Sequence, residues 1–222
     1  MFEHLKPKSS SYGHLRLLVQ ALAFAAALVM ASPASARTVR LVVLGDSLTA
    51  GLGLPPGKAF PDRLEAALRA KGFDVKVVNA GVSGDTAADG LARYDWAVPA
   101  GADALIVELG ANDMLRGVKP DATKATLAAI LDKARAAHLP ALLAGMRAAP
   151  NLGPEYDHAF DAIYPALAKA YDVLLYPFFL DGVEGDPKLN QPDGLHPTAE
   201  GVEVIVRKIL PSVAALLKQA DR

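Results

Sequence analysis

The sequence has no cysteine. That excludes thiol nucleophiles, disulfides and cysteine-held zinc, so the fold must rest on burial alone. An excess of positive charge is missing as well: 23 Lys and Arg stand against 24 Asp and Glu. Such a balance lacks the electrostatic footprint of a nucleic-acid binder. The zinc signature H-E-x-x-H is absent, and two phosphate-binding patterns fail. "GLGLPPGKA" (51–59) puts five residues between its outer glycines and ends in Ala59, where a phosphate loop needs four residues and a hydroxyl. The dinucleotide fingerprint breaks at Pro56, and the nucleophile elbow G-x-S-x-G breaks at Thr49.

Long hydrophobic runs are also scarce. The one that stands out, "LLVQALAFAAALVMA" (17–31), comes after Lys6, Lys8, His14 and Arg16 and leads into Ala34-Ser35-Ala36. A basic segment, a short apolar core and an A-x-A site predict a secretory signal cleaved after Ala36. A membrane anchor is the alternative, but the run is shorter than the roughly 20 residues a span requires and ends in small residues. Cleavage leaves one domain, residues 37–222, exported to a periplasm or beyond. Without Lys6, Lys8, Arg16 and Glu3 it carries 20 basic and 23 acidic side chains, a formal charge of −3.

The rest of the chain alternates short apolar runs with helical patterns. Continuous apolar segments predict strands at 39–45, 75–81, 104–110, 141–146 and 173–178. Helical periodicity predicts helices at 60–71, 85–94, 121–138, 155–171 and 198–217. In the first, Pro61 and Asp62 suit the opening turn, Phe60, Leu64, Ala67 and Leu68 share a face, and Gly72 closes it. In the third, Leu127, Ile130, Leu131 and Ala134 point inward. Five βα units in series predict a parallel sheet with helices on both faces.

Open parallel sheets bind ligands beyond the carboxyl ends of their strands. The segments directly after the strands are therefore the informative ones. They are Gly45-Asp46-Ser47, Asn79 to Asp85 with Gly84, Gly110 to Asp113 with Asn112, Arg147 with "AAPNLGP", and the long stretch 180–197 with Asp193 and His196. Ser47 alone reads more readily as a helix N-cap than as a nucleophile. As a nucleophile it needs a base, an orienting carboxylate and oxyanion donors. His196 and Asp193, three apart in "DGLHP", can supply base and orienter from one turn. Gly84 can offer an unobstructed backbone N–H and Asn112 a side-chain amide. Turn formation alone would also explain both residues. His138 and His158 read as helix-borne and structural or exposed.

These blocks together resemble the SGNH, or GDSL, hydrolases: Gly45-Asp46-Ser47-Leu48, "NAGVSGDT" with Gly84, "ELGANDMLRG" with Asn112, and "DGLHP" with Asp193 and His196. The resemblance runs from about Leu41 to the terminal helix. "FDAIYPALAKAYDVLLYPFF" and "DGLHP" bring the chain closest to the exported bacterial thioesterase I/lysophospholipase/arylesterase branch. The resemblance implies a three-layer α/β/α, flavodoxin-like sandwich with a five-stranded parallel sheet. It implies Ser47 as nucleophile, His196 as base and acid, and Asp193 as its orienter. It further implies an oxyanion hole of the Ser47 and Gly84 amides with Asn112, no metal or organic cofactor, and a small acyl or aryl ester or thioester as substrate. "GLPPGKAF" and "RAAPNLGPEY" are then expected to line an acyl pocket. Two alternatives stand beside this reading: a carbohydrate acetyl esterase of the same superfamily, and a periplasmic binding protein without turnover.

Overall fold

The computed structural model describes Met1, residues 37–149 and residues 151–220. Met1–Arg37 and Thr38–Arg222 are separate units, and the expected leader lies outside the described residues.

In the second unit, five strands form one parallel sheet: β1 Val39–Gly45, β2 Val75–Gly81, β3 Ala104–Glu108, β4 Ala141–Ala144 and β5 Leu174–Tyr176. Nine helices accompany them among the described residues. Between β1 and β2 lie α1 Ser47–Ala50 and α2 Phe60–Ala70. Between β2 and β3 lie α3 Ala87–Ala92 and α4 Tyr94–Ala97. Next come α5 Ala111–Leu115 and α6 Pro120–Ala136, then α7 Pro154–Asp161 and α8 Ile163–Tyr171, and α9 Ala199–Ala220 closes the chain. The strand order is β2-β1-β3-β4-β5, the flavodoxin-like order. The chain reverses direction across the sheet between β1 and β3, and a crevice opens beyond their carboxyl ends.

The apolar runs are continuous because both faces of the central strands are covered. Leu41–Leu44 of β1 and Ala104–Val107 of β3 have no exposed surface. On one side α2 packs against α9, and on the other α6 packs against α3, α7 and α8. Phe60 of α2 meets Phe179 edge-on, with ring centroids 4.9 Å apart, which ties the first helix layer to the segment after β5. Leu127, Ile130, Leu131 and Ala134 are buried as their spacing predicts.

Three helices differ from expectation, and the last three strands are shorter than expected. The helix expected over 155–171 is two, divided at Ala162. Pro165 has no N–H to continue the ladder, so a break just upstream seats it in the first turn of α8. The helix expected over 85–94 is Ala87–Ala92 with a separate short turn of helix, Tyr94–Ala97. The final helix starts at Ala199, one residue later than expected, and Pro197 just before it forms an isolated bridge with Asn190.

Candidate active site

Ser47 is not the cap. Asp46 is: its Oδ1 accepts the Leu48 amide at 2.9 Å, and Ser47 is the first residue of α1. With the capping role filled by its neighbour, the Ser47 hydroxyl is available for another partner. That partner is His196, whose Nε2 lies 2.9 Å from Ser47 Oγ.

His196 is oriented from behind. Its Nδ1 lies 2.6 Å from Asp193 Oδ2. The other carboxylate oxygen accepts the amides of Leu195 at 2.9 Å and His196 at 3.0 Å. The His196 amide, then the Leu195 amide and the imidazole, hold the Asp193 carboxyl down to about 2. Asp193 is therefore an anion throughout the neutral range, able to fix the imidazole with its proton on Nδ1 and a lone pair on Nε2 facing Ser47. The turn expected of "DGLHP" thus does present both side chains to the same rim.

Gly84 and Asn112 reach the same cavity, about 340 Å³, which Ser47 and His196 also line. Gly84 stands at φ +89° in the turn closed by the Asp85 amide donating to Val82 O at 3.1 Å. An added Cβ there would come no nearer than 3.7 Å, to Arg116. Glycine is required here by the backbone conformation, not by a crowded approach. Among the described residues, the Ser47 and Gly84 amides donate to no protein acceptor. Asn112 Nδ2 donates to Asp85 O at 3.0 Å and to Asp46 Oδ2 at 3.1 Å, so its amide is held between two neighbours.

Three supporting residues carry no role in the sequence pattern. Glu108 is fully buried at the end of β3 and accepts the Thr49 hydroxyl at 2.6 Å; its other carboxylate oxygen has no partner among the described residues. Gly45 lies against this contact, and a Cβ there would come within 2.1 Å of Thr49 Oγ1. Asp46 is also fully buried nearby. Burial first, then the neighbouring carboxyl, raises Glu108 well above the usual carboxylate range. Burial likewise raises Asp46, against the pull of the Leu48 amide. A glutamate inside the apolar run "ALIVELG" was the readable signal for the first of these. Arg93, the third, gave no such signal; it is buried at the α3–α4 junction and pairs with Asp85.

A raised carboxyl gives a signed prediction. The folded protein holds a proton that the unfolded chain releases near pH 4, so the stabilising contribution is complete below that pH. It is lost as pH rises through the folded-state value, with a slope of at most about 1.4 kcal/mol per pH unit per proton. Glu108→Gln cannot ionise. Its stability relative to the parent should therefore increase with pH in denaturant titrations. A difference that stays constant from pH 5 to 9 would show that Glu108 is ionised in the folded state.

Among the described residues, the other histidines, His138 and His158, take no part and are exposed. The cavity wall is formed mainly by Leu48, Leu52, Met114, Met146, Phe178 and Leu180. Of the segments expected to line it, "RAAPNLGPEY" contributes Arg147 and Ala149, whereas residues 53–60 contribute none. The loop glycines and prolines of 53–57 marked a turn, not a wall.

A family model described as GDSL-like lipase/acylhydrolase matches residues 43–204. The chain is 40% identical to Esterase TesA of Pseudomonas aeruginosa over 193 residues, 86% of this chain and 95% of that protein. It is 41% identical over 174 residues to thioesterase 1/protease 1/lysophospholipase L1 of Escherichia coli K12, covering 78% and 82% of the two chains. Among solved structures, AlinE4, an esterase of the SGNH-hydrolase family, superposes with a TM-score of 0.69 at 45% identity, covering 83% of this chain and 99% of that one.

Proposed function

Because the chain belongs to the GDSL-like lipase/acylhydrolase family, and is thereby an SGNH-type hydrolase of ester bonds, we propose that it works by acyl transfer to Ser47. The observation that carries this is the continuous relay from Asp193 through His196 to Ser47, at 2.6 and 2.9 Å.

His196 Nε2 takes the Ser47 proton as Oγ attacks the carbonyl carbon of an ester or thioester. The carbonyl oxygen gains the negative charge among the Ser47 amide, the Gly84 amide and Asn112 Nδ2. The proton on His196 goes to the departing alcohol or thiol as the carbon–oxygen or carbon–sulfur bond breaks. Water, activated by the same imidazole, then attacks the acyl-serine and releases the acid. Since both Asn112 amide hydrogens already have protein acceptors, the oxyanion shares one of them. Removing this donor, in Asn112→Ala, should lower kcat by about 10²–10³. Steady-state kinetics on a p-nitrophenyl ester check it, and an unchanged kcat would remove Asn112 from the hole.

The acyl group is assigned to the apolar cavity. Its volume, about 340 Å³, lies at the small end of ligand pockets. Leu52, Leu115 and Leu195, each about half exposed, stand at its lining, so an alkyl or aryl group gains burial on entering. Each buried methylene contributes about 0.8 kcal/mol. kcat/KM over p-nitrophenyl acetate, butyrate, hexanoate and octanoate should therefore rise by up to about fourfold per methylene until the cavity is filled. Equal rates on acetate and octanoate, with turnover of acetylated sugars, would favour the carbohydrate acetyl esterase instead.

Export, with the leader removed after Ala36, is proposed from the N-terminal pattern. No helix among the described residues is long and apolar enough to cross a membrane.

A further inference from the structure

We propose that Arg93 is the positioning residue of the oxyanion hole, holding the Gly84 turn and the Asn112 amide in register with Ser47. The inference rests on the reading of Gly84 and Asn112 as oxyanion donors.

A glycine at positive φ has no side chain to anchor it, so the direction of the Gly84 amide is set by its neighbours. Besides an exposed bond from Arg116, four hydrogen bonds do this. The Val82 amide donates to Gly45 O at 3.1 Å, which ties the start of the turn to the end of β1. The Asp85 amide returns to Val82 O at 3.1 Å and closes the turn. Arg93 then grips both ends at once: Nε donates to Asp85 Oδ2 at 2.5 Å, and Nη2 donates to Gly45 O at 2.9 Å. Gly45 is separated only by Asp46 from the nucleophile. Asp85 O also accepts Asn112 Nδ2, so whatever places Asp85 places the side-chain donor as well.

The burial of this pair decides its weight. The Arg93 and Asp85 side chains are 9% and 12% exposed, so water competes weakly and the charge-assisted bonds keep their strength. The other guanidinium on this turn, Arg116, donates to Gly84 O at 2.7 Å from an exposed position, where solvent weakens it. A buried cation is costly unless its partners are in place. Two are, on two different site-bearing segments. The planar guanidinium can reach both acceptors; an ammonium is a single point charge and cannot reproduce that fork. Displacing a catalytic group by about 1 Å costs up to about a hundredfold in rate.

The test is kinetic, on the full protein with a p-nitrophenyl ester. Arg93→Lys keeps the charge opposite Asp85 but loses the second grip. It should lower kcat by about ten- to a hundredfold, with KM changed less than about threefold, in a protein that still melts cooperatively. In an Asn112→Ala background the same substitution should cost at least threefold less, because the two act through a shared set of donors. Asp85→Asn, which keeps the backbone carbonyl and weakens the ion pair, is the second variant should Arg93→Lys not fold; it should show the same kcat loss and the same coupling. Full kcat in a folded Arg93→Lys, beside an impaired Asn112→Ala, would overturn the proposal alone. So would a kcat loss that multiplies undiminished onto Asn112→Ala, since that marks simple fold support. Full kcat in Asn112→Ala by itself would remove the underlying reading of the hole, and this proposal with it.

Discussion

Ser47→Ala should lose activity on the order of 10⁶ in kcat while keeping its fold. Ser47 is the first residue of α1 and only 8% exposed, yet it contributes no capping bond. Asp46 supplies the side-chain oxygen that holds the helix start, and alanine suits a helix interior better than serine does. The substitution therefore removes a reacting atom and one hydrogen bond to His196, and little else. His196→Ala should cost a comparable amount, and combining the two should add little, because nucleophile and base act as one unit. The residual rate is the catalysis due to binding and the oxyanion donors. A fluorophosphonate probe reads the same claim covalently: it should label the parent and leave Ser47→Ala unlabelled. A binding protein without turnover would show neither ester hydrolysis nor labelling. Retention of either in a folded Ser47→Ala would place the nucleophile elsewhere.

Asp193→Asn should cost on the order of 10⁴ in kcat, and here the local geometry says why. One carboxylate oxygen of Asp193 is claimed by two backbone amides, those of Leu195 and His196. An asparagine must keep its carbonyl oxygen on those two donors, which turns its NH₂ toward His196 Nδ1. Nδ1 then has to accept, so the ring proton moves to Nε2, facing Ser47. An imidazole in that tautomer cannot take the serine proton. The melting temperature should change little, since the amide contacts survive. Asp193→Ala lacks the wrong-tautomer bias and should retain more activity than Asp193→Asn. The opposite ranking would overturn the tautomer argument, because both variants lack the carboxylate charge and only asparagine imposes the wrong ring proton.

Much of this site was readable because its chemistry is carried by residue types that stand out after apolar runs. Ser47, Gly84, Asn112, Asp193 and His196 all come after predicted strands, and parallel strands put all such segments on one rim. The strands β1 and β2 have the expected limits, whereas β3 ends before Leu109 and Gly110. Gly110 at φ +117° is the N-cap of α5, a helix too short for any periodicity to reveal. The same brevity hid α1 and, with it, the reason Ser47 is not a cap. The division of the helix at Ala162 was written in Pro165 but masked by an apolar pattern that continues across it.

Residue order alone determined the alternation of strand and helix, the absence of thiol chemistry, and which polar side chains come after which strand, since these depend on local pattern and covalent identity. Tertiary structure decided which of those side chains meet. Ser47 and His196 are 149 positions apart, and their approach depends on where the last helix packs. The upward push that burial gives the Glu108 carboxyl, the proton preference that Asp193 imposes, and the grip of Arg93 on the end of β1 and the turn after β2 are likewise properties of surroundings. Short-range pattern cannot encode them, because desolvation and hydrogen-bond geometry exist only once the chain has closed around the groups concerned.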